Sequence, residues 1–404
     1  MSEQLIMNPH RTLAISTDSI LSCSPTSRNG FHIAIVCALP IEADAIIAAF
    51  GIYWEDHGLL YDKAYGDPNA YSTGVIGRHN VVVAHMPSMG KASAASVAVN
   101  LRLSFPKIEL VLVAGTCGCS PKTSEGDEII LGDVIISTGV VQYDLGHRMP
   151  EGFKSKKKIL DSLGRPNTEL RSIVNKIQGI RGRKKLRNNI AECLAQFQGV
   201  PELEAEYPGI EEDRLFQAEY CHRIDGKSCK ECGCDGEKLI PRVRLNTNHQ
   251  VVEHFGLIAS GDTVLMSGRD RDILTQEENV IGFEMEGAGV WDNYPCVVIK
   301  GACDYADSHK NEKWRRYAAA TSAACVKAFL NSWVPGNSES RILSGPEVGP
   351  SSAVIFDGNQ EILHQRSQPR FTNTPQEILE PNNTLRDPEI FGEMKHVKGL
   401  KLIR

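Results

Sequence analysis

The feature that most constrains the fold is a series of short apolar runs separated by segments with helical spacing. Phe31–Ala38 is an almost continuous apolar run, which is typical of a strand buried on both faces, and Leu39–Phe50 then places apolar residues at helical intervals. The same alternation recurs at Asn80–Met86, Lys91–Leu103 and Glu109–Ala114, and again at Cys296–Ala302, a predicted strand, and Trp314–Trp333, a predicted long Ala-rich helix. Strand and helix in alternation predict an α/β fold with a largely parallel or mixed central sheet.

One domain with a large insertion accounts for the rest of the pattern. We interpret residues 31–334 as a single three-layer domain, in which a twisted mixed sheet is flanked by helices. The regular alternation fades at residues 150–245, which we interpret as an insertion. Residues 1–30 are polar and Ser/Thr-rich, and residues 335–404 are rich in Ser, Gly, Pro and Asn without periodicity. We therefore predict a flexible N-terminal arm and a mostly disordered C-terminal tail.

Charge and composition exclude several classes of protein. The chain has 404 residues, with 44 Lys and Arg against 50 Asp and Glu, and a net charge of −6 does not suit a dedicated nucleic-acid binder. No apolar run approaches the roughly 20 residues that span a bilayer, and the N-terminus lacks a basic segment followed by an apolar one. Several of the 12 cysteines lie in apolar segments, where a free thiol packs like a small hydrophobic group. These features predict a cytoplasmic protein that binds neither nucleic acid nor membrane.

Four separated segments hold the residues best suited to chemistry. Each lies directly after a predicted strand or in the turn beyond it, and Gly115–Gly118 is itself predicted to be a Gly-rich turn. Because ligands bind at the carboxyl ends of strands in open α/β sheets, we expect all four segments to face one pocket. The segments are Ala38–Glu42, Gly115–Gly118, Phe283–Glu286 and Lys300–Asp307.

Three carboxylates would converge in that pocket, namely Glu42, Glu286 and Asp304. Acidic groups that share a partly dry pocket repel one another, so the pKa of some of them rises, which suits proton transfer. Each acid taken alone is also compatible with a helix N-cap or a solvated charge. The segment Phe283–Gly289 favours a functional site, because its two acids alternate with apolar residues and a buried carboxylate needs a partner.

Seven short motifs occur along the chain in a fixed order. They are ALPIEADAI at Ala38–Ile46, SMGKASAA at Ser88–Ala95, AGTCG at Ala114–Gly118, GDVIIS at Gly132–Ser137, IASGDTVL at Ile258–Leu265, FEMEGAG at Phe283–Gly289 and KGACDYAD at Lys300–Asp307. In this order they resemble the nucleoside phosphorylase/nucleosidase superfamily, which includes purine and uridine phosphorylases and methylthioadenosine/S-adenosylhomocysteine nucleosidases. The resemblance covers Phe31 to Trp333 apart from the insertion. Through CDYADSHKN at Cys303–Asn311 and its cysteine-bearing insertion, the chain is also similar to phosphorylase-like domains of fungal proteins.

The resemblance implies roles for the residues on the substrate side. Asp304 matches the acid that hydrogen-bonds the purine and protonates the leaving base, and Glu286 matches the carboxylate that grips the two ribose hydroxyls. Met285 would pack against the sugar or base, while Val264 and Leu265 match positions that pack around the purine and hydrogen-bond it through the backbone. The remaining predicted substrate-binding residues are Phe283, Glu284, Thr116, Gly118 and Lys300.

The nucleophile is either phosphate or water. Phosphorylases of this family have an arginine in the first turn and another before the Gly-rich turn, and several cations suit a phosphate dianion. Here the first turn, Ala38–Glu42, has no arginine, and Val113 occupies the second position. Glu42 instead matches the catalytic acid/base of the hydrolytic nucleosidases. Thr116 and Lys300 match residues that help hold the water, although Lys300 replaces an arginine. The charge pattern favours hydrolysis.

The sequence therefore predicts a purine nucleoside N-ribohydrolase that uses water to release the free base and ribose. The matched residues require no metal or organic cofactor, and the resemblance implies a homo-oligomer. Two alternatives stay open. One is a phosphate-dependent purine nucleoside phosphorylase, and the other is a nucleoside-sensing module whose catalysis is vestigial.

The insertion holds a separate candidate, a structural zinc site. Cys229-x-x-Cys232-x-Cys234 has ligand types and a spacing that suit zinc, and Cys221 and His222 lie just upstream. The sequence lacks a second C-x₂-C pair, so free surface thiols are the alternative interpretation.

Overall fold

A computed structural model describes most of the predicted domain. The arm predicted for residues 1–30 and the tail predicted for residues 335–404 lie outside the described residues, except for residues 24–30 and residue 335. A single 3₁₀ turn, Arg28–Gly30, leads into the first strand. The described residues are 24–150, 152–155, 163–224, 226–247 and 250–335.

Strands and helices are mixed along the described residues, which confirms the predicted α/β class. The strands are β1 (Ile33–Cys37), β2 (Ile52–Tyr53), β3 (Ala70–Ile76), β4 (His79–His85), β5 (Leu110–Cys119), β6 (Val134–Gln142), β7 (Gly146–Met149), β8 (Gly152–Ser155), β9 (Glu253–Ser260), β10 (Val280–Glu284) and β11 (Cys296–Asp304). The α-helices are α1 (Pro40–Ile47), α2 (Lys91–Ser104), α3 (Thr168–Gln178), α4 (Ile180–Gln198), α5 (Val243–Thr247), α6 (Gly268–Glu278), α7 (Gly287–Trp291) and α8 (Arg315–Leu330). None of the helices in the described part has the length and apolar character needed to cross a membrane.

Among the described residues, nine strands form one mixed sheet in the order β10-β9-β6-β11-β5-β1-β4-β3-β2. Strand β5 runs parallel to β1 and β11, and β11 runs antiparallel to β6. Strand β10 also pairs with β5 in the antiparallel direction, which places Phe283 opposite Gly118 and closes five strands into a ring. Asp304 of β11 pairs with the same Gly118 from the other side. The ends of three strands therefore meet at one glycine.

Burial explains why these apolar runs are strands. Every residue of β1 and of β11 is buried, as the continuous apolar pattern predicts. The Ala-rich helix α8 packs on β5 and β11, while α7 packs on β6 and β11. The sheet is thus flanked by helices, as predicted, and its most buried strands are those that lead to the shared end.

The predicted turn at Gly115–Gly118 is wrong. Strand β5 continues through these residues to Cys119. The reason is the pairing with β11, in which Lys300 lies opposite Gly115 and Ala302 lies opposite Cys117. Hydrogen bonds to a neighbouring strand keep this backbone extended, although its local composition is typical of a turn.

Part of the predicted insertion packs into the core of the domain. Helices α3 and α4 both lie within residues 150–245, and α4 packs against α8. The buried side chains of α4 belong to the same hydrophobic cluster as the sheet. They are Leu186, Ile190, Cys193, Leu194 and Phe197.

Candidate active site

The strand ends that meet at Gly118 border one cavity of about 180 Å³. The start of α1 and the segment after β9 complete its wall. Every predicted site residue except Lys300 lines the cavity, whereas Lys300 is buried behind the lining. The lining residues named from the sequence are Glu42, Thr116, Gly118, Val264, Leu265, Phe283, Glu284, Met285, Glu286 and Asp304.

The Glu42 carboxylate is held by four hydrogen bonds. Its Oε1 accepts from the Thr116 amide at 2.8 Å and from the Thr116 hydroxyl at 3.1 Å. Its Oε2 accepts from the amides of Ala38 and Leu39, both at 3.1 Å. The Leu39 contact also caps α1, so the N-cap interpretation of this acid is correct in part. Together these contacts fix the side chain in one orientation at the cavity wall.

The backbone at Gly115 makes room for Glu42. Its φ of +144° lies in a region that side-chain-bearing residues avoid. A Cβ at this position would lie 2.3 Å from the Glu42 Cδ and Oε1 atoms. The glycine is therefore needed both for its conformation and for the close approach of the carboxylate.

A buried ion pair lies at the edge of the cavity. The Lys300 Nζ is 2.9 Å from the Glu286 Oε2, and the two side chains are 1% and 5% exposed. Burial raises the pKa of Glu286, but the charge and hydrogen bond of Lys300 outweigh burial and leave the pKa below its usual value. Burial also acts against the charge on Lys300, whereas Glu286 and then Glu42 raise the pKa of Lys300 above its usual value. Lys300 thus stays charged, and its positive charge interacts favourably with the carboxylates of Glu286 and Glu42.

Glu284 anchors the turn that positions Glu286. Its carboxylate accepts from the amide of Glu286 at 2.9 Å and from the amide of Gly287 at 2.9 and 3.1 Å. Burial, followed by the negative charge of Glu286, raises the pKa of Glu284 to about 7. Among the clustered acids, Glu284 therefore shows the raised pKa expected of carboxylates in a shared, partly dry pocket.

Asp304 lies at an irregularity in the last strand of the sheet. The pairing register of β11 with β5 shifts between Ala302 and Asp304. The Asp304 Oδ1 accepts from the Ala306 amide at 2.9 Å, and Ala306 itself has a φ of +50°. The Asp304 Oδ2 lies 2.9 Å from the Nζ of Lys310. The acid is 4% exposed, so one edge of its carboxylate is tied to the backbone and the other to a cation.

Two cations that line the cavity were not predicted. Lys310 lies within the CDYADSHKN segment, six residues after Asp304, so its nearness to that acid is a signal that the sequence contains. Arg315 begins α8 and pairs with Glu312 at 2.5 Å, and no motif marks it.

Apolar groups form the rest of the cavity wall. Phe283, Met285, Val264 and Leu265 were expected there. The Tyr143 hydroxyl donates to the Thr263 carbonyl at 2.8 Å, which joins the β6 end to the segment after β9. Besides the two cations, Met89, Tyr143 and Thr263 line the cavity without having been named as site residues, although Met89 and Thr263 stand in quoted motifs. Such a lining suits a ligand with a flat apolar part and polar edges.

Residues able to hold a metal form a separate cluster outside this lining. Among the described residues, His222, Cys229 and Cys234 of the insertion meet His309, which follows β11. His309 was not predicted, because it is far along the chain from the cysteines. Cys221 and Cys232, which the sequence also offered as ligands, are not part of this group.

The family model described as the Phosphorylase superfamily matches residues 32–331 of the chain. A protein of Hyaloscypha variabilis described as a nucleotide-binding leucine-rich repeat (NLR)-like protein is 34% identical over 307 residues. The matched region is 74% of this chain but 29% of that relative, so the chain spans less than a third of the relative's length.

The solved structures that the chain is similar to have lower sequence identity. Futalosine hydrolase of Helicobacter pylori is 18% identical with a TM-score of 0.46, covering 76% of this chain and 100% of that one. The 5′-methylthioadenosine/S-adenosylhomocysteine nucleosidase of Neisseria meningitidis, in complex with methylthio-immucillin-A, is 17% identical with a TM-score of 0.47. That match covers 75% of this chain and 99% of the nucleosidase. Since the family model spans nearly the whole of the described fold, the chain belongs to the phosphorylase superfamily.

Proposed function

We propose that the chain is a purine nucleoside N-ribohydrolase, which cleaves the N-glycosidic bond with water to give a free base and ribose. The observation on which this rests is the Glu42 carboxylate, held by four hydrogen bonds at the wall of the cavity that Glu286 and Asp304 also line. An acid in this place repels a phosphate dianion and can take a proton from water.

The nucleophilic water would be held at Glu42. A carboxylate has about four lone-pair positions, and the four donors described above occupy them all. Three of these donors are backbone amides, which the fold keeps in place. The fourth, the Thr116 hydroxyl, can rotate away and accept a hydrogen bond, so water would take its place on Oε1. Glu42 would then accept the proton as the oxygen attacks the anomeric carbon.

The sugar would be gripped by Glu286. Its carboxylate can accept both ribose hydroxyls, and its pairing with Lys300 keeps it ionised at the cavity edge. The glycosidic bond breaks through a state with positive charge on the sugar ring. A fixed negative charge beside the ring stabilises that state more than the neutral substrate, which lowers the barrier.

The base would leave by way of Asp304. A departing purine gains negative charge, and protonation by a positioned acid lowers the cost, typically by about 10²–10⁴-fold in rate. Because Oδ2 is paired with Lys310, the lysine must turn away and the carboxylate must take up a proton from solvent before Asp304 can protonate the base. The purine would take its place on Asp304, between the apolar side chains of the wall.

The experiment is a substrate panel with product identification. The purified full chain is incubated with adenosine, inosine, guanosine and uridine, and chromatography measures the release of free base. We expect release from at least one purine nucleoside and loss of release in Glu42→Gln and Asp304→Asn. Glu109→Gln is the matched control, because Glu109 pairs with His32 ahead of β5 and does not line the cavity. Turnover at the unaltered rate by Glu42→Gln or Asp304→Asn would refute the assignment.

Phosphorolysis is the second candidate activity, and the unpredicted cations favour it. Lys310 and Arg315 both line the cavity, so its wall carries positive charge of the kind that binds a phosphate dianion. Without substrate, Lys310 is paired with Asp304 and Arg315 with Glu312, whereas Glu42 is held by neutral donors at the place where a phosphate dianion would have to lie. This balance supports water over phosphate. Ribose 1-phosphate as the product would establish the phosphorylase.

A sensing role is the third candidate, and the relative from Hyaloscypha variabilis favours it. That protein is described as NLR-like, and this chain matches 29% of it. If the cavity serves recognition alone, a purine nucleoside raises the melting temperature of the full chain without any release of base. The same panel, measured by both thermal shift and chromatography, distinguishes a sensing role from catalysis.

Two further expectations stay predictions. A homo-oligomer is tested by light scattering during size-exclusion chromatography. A cytoplasmic location is tested by imaging a tagged chain. The substrate panel, extended by 5′-methylthioadenosine, identifies the preferred purine and the preferred 5′ substituent, for which the sequence makes no prediction.

A further inference from the structure

A second cluster of chemically reactive side chains lies away from the cavity. His222, Cys229 and Cys234 belong to the insertion, whereas His309 follows β11, five residues beyond Asp304. One ligand atom from each residue can be chosen so that all four lie within 4.8 Å of one another. Two thiols and two imidazoles from separate parts of the chain therefore converge on one point.

Two sulfur-to-nitrogen distances in the cluster are close to those between ligands of one zinc ion, and all four ligand atoms lie within 4.8 Å of one another. The Cys229 Sγ is 3.5 Å from the His309 Nδ1, and the Cys234 Sγ is 3.8 Å from the same nitrogen. Tetrahedral zinc, with bonds of about 2.3 Å to sulfur and about 2.0 Å to nitrogen, separates its ligand atoms by about 3.3–3.8 Å. Packing alone does not require side chains to meet at this spacing.

The tautomer of His309 is fixed in the form that a metal ligand needs. Its Nε2 lies 3.0 Å from the carbonyl oxygen of Tyr220, which can only accept, so Nε2 bears the hydrogen. The lone pair of Nδ1 then faces the two sulfur atoms. Hydrogen bonding of the second ring nitrogen to a carbonyl is the usual support for a metal-bound histidine. The ring also stacks on Phe216, with centroids 3.9 Å apart, and is 5% exposed.

We propose that His222, Cys229, Cys234 and His309 bind one structural Zn²⁺ ion. Two cysteines and two histidines are a common closed set for structural zinc, with no position left for substrate. Both thiols lose their protons on binding, and the two thiolates balance the charge of the ion. The proposal does not depend on the nucleosidase activity.

The site differs from the one that the cysteine spacing indicates. Cys232 would be the second ligand of the C-x₂-C motif, and its Sγ lies 3.9 Å from the His222 Nδ1, but it is not part of the four-residue group and contacts the Ile224 carbonyl instead. Cys221 is exposed, and its Sγ contacts the Glu219 carbonyl. The pair within the group is Cys229 and Cys234.

The ion would tie the insertion to the segment that borders the cavity. His309 directly precedes Lys310, which pairs with Asp304. A second contact runs the same way, since the His222 amide donates to the Ser308 hydroxyl at 2.8 Å. The zinc site thus acts as a clamp that positions the segment from Ser308 to Lys310.

The metal content of the purified full chain tests the proposal. The chain is produced without a metal-affinity tag, dialysed, and analysed by inductively coupled plasma mass spectrometry, with native mass spectrometry for stoichiometry. We expect about one zinc per chain, as a closed four-ligand site requires. Cys229→Ser and Cys234→Ser should lose it. Cys221→Ser and Cys232→Ser are the matched controls and should keep it.

A spectroscopic measurement on the unaltered chain tests for a tetrahedral site with sulfur ligands even if a cysteine variant fails to fold. Replacement of the zinc by Co²⁺ in the unaltered chain should give the intense visible bands of a tetrahedral ion and sulfur-to-cobalt charge transfer. Loss of these bands in Cys229→Ser, with their retention in Cys232→Ser, supports the ligand set. A metal-free chain that takes up neither ion, a Cys229–Cys234 disulfide, or loss of metal in Cys232→Ser would overturn the proposal.

Discussion

At the scale of single residues, the site is a balance of buried charges in which each acid has a different set of partners. Backbone amides and a hydroxyl hold Glu42, amides hold Glu284, and lysines pair with Glu286 and Asp304. Carboxylates with such different surroundings can take different roles in one cavity.

The Lys300–Glu286 pair should be essential to stability. In Lys300→Met the Glu286 carboxylate keeps its buried position but loses its cation, and breaking one side of a buried pair costs about 3–5 kcal/mol. We expect the free energy of unfolding, measured by urea denaturation, to fall by about this amount. The double variant Lys300→Met/Glu286→Gln should recover part of the loss, because no unpaired charge is left buried. A single variant as stable as the unaltered chain would contradict the ion pair.

The raised pKa of Glu284 should make stability depend on pH. Its pKa in the folded chain is about 7 against an ordinary value of 4.5, so between these values the folded state holds the proton more firmly than the unfolded state. The free energy of unfolding therefore falls as the pH rises through this window, and the loss is complete above it. In Glu284→Gln this contribution is absent.

The measurement is chemical denaturation of both chains at about pH 5 and at about pH 8. Between these pH values the free energy of unfolding should fall less in the variant than in the unaltered chain, by up to about 3 kcal/mol. Titrating groups that do not interact with Glu284 contribute equally to both chains and cancel in the difference, so the difference reports Glu284 together with its neighbour Glu286. An identical pH dependence in the two chains would show that Glu284 ionises normally.

At the scale of elements, the path of β5 decides the geometry of the site. Because β11 pairs with its last residues, β5 reaches Cys119 and brings Thr116 and Gly118 to the cavity. Gly115 is the point in this strand where the backbone must adopt a positive φ beside Glu42.

Substitution of Gly115 should damage activity through Glu42. The Cβ in Gly115→Ala would displace the carboxylate, so we expect loss of base release well beyond tenfold. Gly126→Ala is the matched control, since Gly126 also has a positive φ of +92° but nothing within 4 Å of its Cβ position. The control should cost only about 1 kcal/mol in stability from backbone strain and leave turnover unchanged. Equal activity in both variants would show that the carboxylate tolerates the added methyl group.

The elements show what the sequence can and cannot predict. The apolar runs of β1, β4 and β11 and the helical spacing of α2 and α8 are local patterns, and the structure places each of them close to the predicted residues. The prediction of a turn at Gly115–Gly118 was wrong because β11, which is distant in sequence, pairs with this segment and holds it extended.

The same reason explains part of what was missed within the two sites. The acids were found because each stands in a motif. Lys310 and His309 were not named, although both stand in the segment Cys303–Asn311. The nearness of Lys310 to Asp304 is local and was missed, whereas His309 meets the cysteines only through the fold of the insertion. Contacts between segments far apart in the chain are not encoded in local composition or spacing.

At the scale of the whole molecule, the closed ring of strands and the helices around it bring the candidate site residues together at one end of the ring. One fold can host different reactions, so the fold alone does not select between water and phosphate. The choice depends on the charge of the cavity, where a carboxylate stands in the first turn and both lining cations are paired with acids.

The identity of the sugar product shows directly whether water or phosphate attacks the anomeric carbon. The full chain is incubated with its best purine nucleoside in phosphate buffer and in phosphate-free buffer, and the sugar is identified by mass spectrometry. If water is the nucleophile, free ribose forms in both buffers, at rates that do not depend on phosphate. Ribose 1-phosphate as the product, formed only when phosphate is present, would contradict the assignment of water as the nucleophile.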